Sequence, residues 1–201
     1  MSKAHTIFLL KTVIHLLSAG LLANLYYQAI VDQLGADPVE AVLHFTGIGA
    51  FNLLLLSLTV SPLVKCFKWQ ILMKVRRLLG LYSFTYALCH VLSFLAFEVQ
   101  FNWTLFIDEV IERPYITVGM SAFVILFALA VTSISRLKKQ LGRHWQLLHN
   151  WVYLALLLIA LHFYWSVKSE VIEPSIYVLI CLVLLWLRKK KLTRRFTRRV
   201  H

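Results

Sequence analysis

Two of the eight histidines fall where a histidine is costly. His90 lies inside the apolar run 78–97 and His162 inside the run 147–167, and neither run holds a Lys, Arg, Asp or Glu. An ionisable side chain at membrane depth is expensive and marks a functional site by default. Neutral imidazole also ligates haem iron axially from within an apolar bundle. Two such residues on separate helices point to a membrane cytochrome. The competing reading gives each imidazole a hydrogen bond to a neighbouring carbonyl or hydroxyl and nothing more.

Depth separates the two readings. With helix entry near Leu78, His90 lies about 18 Å in; with entry near Leu147, His162 lies about 22 Å in. Both helices run in the same direction, so the imidazoles stand at matching height, as a haem held between two helices requires.

His149 precedes His162 by thirteen residues, a rise of about 20 Å that would suit a second, stacked haem. The angular fit is poorer, since thirteen steps leave the two side chains roughly 140° apart on an ideal helix. At that depth the helix of His90 carries Arg76 and Arg77 instead of histidine. His15 and His144 are the available partners. His149 therefore reads as a haem ligand, as a hydrogen-bonding group for a propionate or quinone, or as helix-start packing. Arg77, with Arg76, either clamps a propionate, a flavin phosphate or a quinone carbonyl, or snorkels to lipid phosphate. His44 either caps its helix or bonds a propionate. Trp69, Trp145, Trp151 and Trp165 suit interfacial belts.

The elements that must position these residues are membrane helices. The 201 residues are 60% hydrophobic, with a mean hydropathy of +0.74, whereas soluble domains are nearer about 45–50% apolar. The expected fold is an all-α integral membrane bundle of six spans, near 7–31, 46–64, 78–97, 116–134, 147–167 and 175–187. The first block reads as a retained helix, being longer than a signal-peptide core. The sixth is short unless residues 188–191 extend it by snorkelling.

Charge sets the orientation. With the N-terminus in the cytoplasm, nineteen of the 21 Lys and Arg fall inside, leaving Arg113 and Lys168 outside. All nine acids fall on the outer side or its edge. The basic bias alone satisfies the positive-inside rule. The net charge of +12 then reflects topology and contact with anionic lipid, with residues 188–201 as a basic cytoplasmic tail. Nucleic-acid binding is not expected. The three cysteines form no CxxC pair, and no phosphate loop, Ser/His/Asp set or internal repeat is visible.

Several collinear stretches carry a resemblance: LGADP (34–38), HFTG (44–47), RRLLGL (76–81), LCH (88–90), RPY (113–115), LGRHWQ (141–146), LHN (148–150) and YWSVK (164–168). Through them the chain resembles the MsrQ (formerly YedZ) family, which belongs with the ferric-reductase-like transmembrane domains. Members are haem-binding membrane subunits of the bacterial periplasmic methionine sulfoxide reductase system.

The resemblance implies electrons drawn from the quinone pool and carried by haem b. They pass to a periplasmic molybdopterin subunit, MsrP, the partner in a heterodimer, where methionine sulfoxide is reduced. It also implies FMN and a bacterial inner-membrane location. The family's histidines fall on His90, His149 and His162. Unlike the oxidase members, this chain has one histidine on the third span and no cytoplasmic flavin and nicotinamide domain. Two other functions are expected to compete: a stand-alone quinone or ferric reductase, and a non-redox transporter or assembly factor whose histidines relay protons.

Overall fold

The computed structural model describes residues 2–167 and 171–197, with side chains up to Arg188. Lys168, Glu170, Arg198, Arg199 and His201, which enter the charge reading above, lie outside the described residues. Among the described residues nine α-helices follow one another: α1 (Lys3–Ile30), α2 (Pro38–Phe67), α3 (Arg76–Ser93), α4 (Trp103–Glu112), α5 (Pro114–Val131), α6 (Ser135–Leu141), α7 (Arg143–His149), α8 (Val152–Ser166) and α9 (Ile172–Thr197). A 3-10 turn (Gln70–Lys74) precedes α3, and a π-helical turn (Phe94–Glu98) extends it.

Among the described residues, five helical stretches are long and apolar enough to cross a membrane: Lys3–Ile30, Pro38–Phe67, Arg76–Glu98, Pro114–Val131 and Arg143–Ser166. Each overlaps an expected span. The sixth expected span falls on α9, which runs from Ile172 through the first residues of the expected tail.

The bundle is built around α2. Its most apolar window is 44% buried, against 6% for α1. Phe51, Leu54, Leu55 and Leu58 of α2 meet Leu126 of α5, Leu156 and Phe163 of α8, and Cys181 and Leu184 of α9. Helix α1 leaves Phe8, Leu16, Leu17 and Leu21 more than half exposed. In water such a surface would be a liability, but against lipid tails it costs nothing.

Helices α2 and α3 pack antiparallel along one polar seam. His90 Nδ1 meets the Leu43 carbonyl at 2.9 Å. Ser83 Oγ donates to the Ala50 carbonyl at 2.8 Å, and Ser57 Oγ donates to the Arg76 carbonyl at 3.1 Å. The three contacts are spaced seven residues apart on each helix, the heptad interval that keeps one seam of two packed helices in contact.

Two segments expected as loops are helical. Residues 98–114 contain α4, because Asn102 caps it by accepting from the amides of Thr104 (3.1 Å) and Leu105 (3.2 Å). Trp103, Ile107 and Ile111 recur every four residues, which puts them along one face. All three are more than half exposed. Residues 135–141 form α6, closed by Gly142 at φ 49°.

A second correction concerns Arg188, expected to snorkel outward with the tail. Only 5% of it is exposed. Its guanidinium donates to Tyr153 Oη at 2.7 Å and to the Leu58 carbonyl. The physical reason lies four residues further along α2. Pro62 interrupts that helix and has no N–H, so the Leu58 carbonyl lacks its helical donor. In hydrocarbon such a carbonyl must be satisfied by a neighbour, and Arg188 supplies the donor. Arg188→Leu should therefore destabilise the folded protein by about 1.5–3 kcal/mol. In the Pro62→Ala background the loss should be smaller, because the restored N–H serves Leu58 from within its own helix. Thermal melts of the two single variants and the double variant in detergent test this; strictly additive losses would refute it.

Candidate functional site

Helices α3 and α8 bring His90 and His162 together, with ring centroids 6.3 Å apart and planes at 82°. Each ring is anchored through Nδ1. For His90 the partner is the Leu43 carbonyl, 2.9 Å away, with Thr46 Oγ1 at 3.4 Å. For His162 it is the Tyr115 carbonyl at 2.7 Å. A carbonyl can only accept, so in both rings the proton sits on Nδ1 and Nε2 keeps its lone pair. The bond to a carbonyl is what the competing reading expects as well; it also leaves each ring in the tautomer a metal-ligating histidine uses, with the second nitrogen donating to a backbone carbonyl.

The separation also fits a shared metal. Metal–imidazole bonds are about 2.0 Å, and adding the reach of each ring puts two trans imidazoles near the observed spacing. Among the described residues no three His, Cys, Asp or Glu side chains gather to hold a metal ion by themselves. A metal held between these two imidazoles would need its remaining ligands from a group other than these side chains.

Glycine permits both anchors. A Cβ on Gly47 would stand 3.2 Å from His90 Cε1, and one on Gly119 would stand 2.7 Å from His162 Nδ1. Each glycine lies four residues after the anchoring carbonyl, one helical turn along the same face. The two half-sites are therefore copies. Shifting numbers by 72 takes Leu43 to Tyr115, Gly47 to Gly119 and His90 to His162. This corrects the expectation of no internal repeat. The pairs α2–α3 and α5–α8 share these positions at one offset, and the sequence carries a trace of it: Ala50, Phe51, Leu54 and Ser61 also recur 72 residues on, as Ala122, Phe123, Leu126 and Ser133.

The model of the ferric reductase like transmembrane component matches residues 46–160. The chain belongs to this family. The matched segment takes in α3, α5 and most of α2 and α8, the four helices that build the histidine pair. No solved structure matches the chain. Membership, with the five apolar helices, marks this ferric-reductase-like chain as a multi-pass membrane protein with a role in electron transfer.

Its other sequence candidates lie apart from the pair. The shift of 72 takes Arg77 to His149, so the half-site register puts an arginine opposite the third histidine. His149 Nε2 faces Thr132 Oγ1 at 3.2 Å, and the Trp145 ring stacks on it at 4.0 Å. Trp145 Nε1 donates to the Thr132 carbonyl at 2.9 Å. Because Thr132 Oγ1 also sits 2.6 Å from the Ala128 carbonyl, its proton goes there and His149 donates from Nε2. His15 Nδ1 meets Tyr82 Oη at 2.7 Å, and His144 is exposed on α7. No second histidine pair forms among these residues. Arg77 is exposed at the start of α3. His44 stands edge-on to Phe163, centroids 6.5 Å apart, one residue beyond the carbonyl that anchors His90.

Sequence reasoning missed Gly47, Gly119 and Tyr115. Tyr115 contributes its carbonyl and also stacks its ring near His162, at 6.0 Å and 29°. Arg113 reaches Tyr115 Oη at 3.4 Å and pairs with Glu109 of α4 at 2.9 Å. A series of contacts thus leads from the acidic surface of α4 to the histidine pair, polar as far as the Tyr115 hydroxyl and then through the Tyr115 ring. The available signal was the equal 72-residue offset between the two glycines and the two histidines. Gly119→Ala should push the His162 ring off its carbonyl and, where the pair holds haem, lower haem content per chain severely. Gly47→Ala, with its contact at 3.2 Å, should lower it less. The pyridine haemochrome assay on both variants checks the order, and equal retention of haem would contradict it.

Proposed function

We propose that the chain is the membrane haem b subunit of a methionine sulfoxide repair system, receiving electrons from the quinone pool and delivering them to a periplasmic molybdopterin partner of the MsrP type. The observation that carries the reading is the His90–His162 pair, with both Nδ1 protons bound to carbonyls and both Nε2 lone pairs left for iron. The family match supports a membrane electron-transfer role, and the collinear stretches that resemble MsrQ-like chains support the finer assignment.

Haem b fits these residues. A haem held by His90 and His162 would supply a one-electron carrier inside the membrane. The chain's own contribution is to fix both imidazoles before any metal arrives. Donation from Nδ1 to Leu43 and Tyr115 raises the basicity of each Nε2. The apolar helices exclude water, and burial with hydrogen bonding tunes the potential. In this reading catalysis belongs to the partner, which docks at the acidic end beside α4, Arg113 and Tyr115.

FMN lacks a comparable fit. Arg77 offers one exposed guanidinium for a phosphate, and among the described residues no donor set stands ready for a flavin ring. FMN enters the proposal by resemblance alone, and one flavin per purified chain is the stoichiometry it requires. The proposed topology is six spans in the bacterial inner membrane with both termini cytoplasmic, supported by the segregation of basic residues.

The optical and magnetic spectra of the purified protein test the ligand assignment. Wild type should show a six-coordinate b-type spectrum, and His90→Ala or His162→Ala should remove most of it. Ring planes near 82° should give the large-gmax ferric signal of perpendicular axial imidazoles. Full haem retention in both variants would end the assignment. For the partner, reduced quinone should support methionine sulfoxide reduction only when chain and molybdoprotein are reconstituted together. A chain that reduces soluble acceptors alone, at the same rate, would favour a stand-alone reductase.

A further inference from the structure

The end of the bundle opposite the acidic loops holds positive charge inside the protein without a carboxylate to meet it. Arg188 is 5% exposed, and its Nε is the one buried side-chain N or O without a hydrogen-bond partner among the described residues. Arg76 opens α3 beside it, half-buried, and reaches Ser61 Oγ at 3.4 Å. Both guanidiniums reach the same stretch of α2, Arg188 at the Leu58 carbonyl and Arg76 at Ser61, three residues further on. Tyr153 accepts from Arg188 and also presents its ring face 5.6 Å from that guanidinium.

No acid on these helices can neutralise the pair. Along α9 the nearest is Glu173, about 22 Å from Arg188 by helical rise; along α2 it is Glu40, about 27 Å from Leu58. Glu98, at the far end of α3, is about 33 Å from Arg76. Helix α8 contains none. A buried cation needs pairing as well as hydrogen bonds. Leu58 and Tyr153 provide hydrogen bonds but no charge. The free first-turn N–H groups of α3 add to the positive potential around Arg76.

The missing anion must come from outside the chain. The site is walled by α2, α3, α8 and α9, and α9 shows Trp186 and Leu187 to the surroundings, 63% and 48% exposed. It stands where the basic loops begin, which the proposed topology puts at the level of lipid headgroups. Basic pockets between membrane helices on this side suit anionic headgroups, and guanidinium forks suit phosphate oxygens. We propose that Arg76 and Arg188, with Ser61 and Tyr153, bind the phosphate of an anionic phospholipid from the leaflet at the basic end. The bound lipid neutralises the arginine pair and ties α9 to α2 and α3.

Native mass spectrometry of the full chain in mild detergent reads this directly and needs no haem. Wild type should retain dioleoyl phosphatidylglycerol at least about tenfold more tightly than dioleoyl phosphatidylcholine. Arg76→Gln should bring the two lipids level, Arg76→Lys should keep part of the preference, and Lys65→Gln, an exposed charge nearby, should change nothing. Arg188→Gln should behave as Arg76→Gln does; should it fail to fold, as judged by circular dichroism and thermal melting, the Arg76 variants carry the test. Equal retention of both lipids by wild type would overturn the proposal. So would an unaltered preference in Arg76→Gln, or a loss in Lys65→Gln as large as in Arg76→Gln. Displacement of the lipid by millimolar inorganic phosphate would assign the site to a free phosphate and overturn the lipid.

Discussion

An imidazole surrounded by hydrocarbon has two nitrogens and almost nothing to satisfy them. One must find a protein partner before the other is free for chemistry. In this chain the partner is a backbone carbonyl one turn before a glycine, at Leu43 for His90 and at Tyr115 for His162. The rest of the arrangement follows. A helix carbonyl is reachable only where the side chain above it is missing, so Gly47 and Gly119 are required. The histidine and carbonyl helices must lie side by side, which the α2–α3 seam and the α5–α8 pair achieve. The two half-sites must face each other across the bundle, which the packing of α2, α5 and α8 around Phe51, Leu126 and Leu156 enforces.

The opposite end of the bundle faces the same constraint with the opposite chemistry. There the polar groups are cations and a carbonyl that Pro62 has stripped of its donor. Arg188 resolves the carbonyl and creates a charge. Segregation of most basic residues to one side, away from the nine acids, is the bias on which the proposed orientation rests. It also leaves Arg76 and Arg188 with no carboxylate within reach. The asymmetry that sets topology is thereby linked to a demand for an external anion.

The sequence made some of this legible. Long apolar runs located five membrane helices, four of them to within four residues at each end and the second starting eight residues after its helix does, because a helix in lipid needs length and little else. His90 and His162 stood out for the same reason, and helix rise was enough to match their depth. Helix α4 was hidden by its acids, Asp108, Glu109 and Glu112, which read as a solvated loop although Asn102 supplies a cap. Arg188 was hidden by its place at the head of a basic run. The internal repeat was hidden because what repeats is chiefly a carbonyl, a space and a ring, and the letters that recur 72 residues on, those of Gly47, Ala50, Phe51, Leu54, Ser61 and His90, are scattered among many that differ.

Composition and order of residues thus settled that the chain lies in a membrane, which side its charge favours, and which two imidazoles sit at one depth. These are properties of single helices, set by hydropathy and rise. Which ring nitrogen is free, how far apart the rings stand, and which helix Arg188 serves are properties of helix pairs. They depend on which carbonyl, hydroxyl or missing Cβ is brought opposite each side chain. Only packed helices bring those groups together.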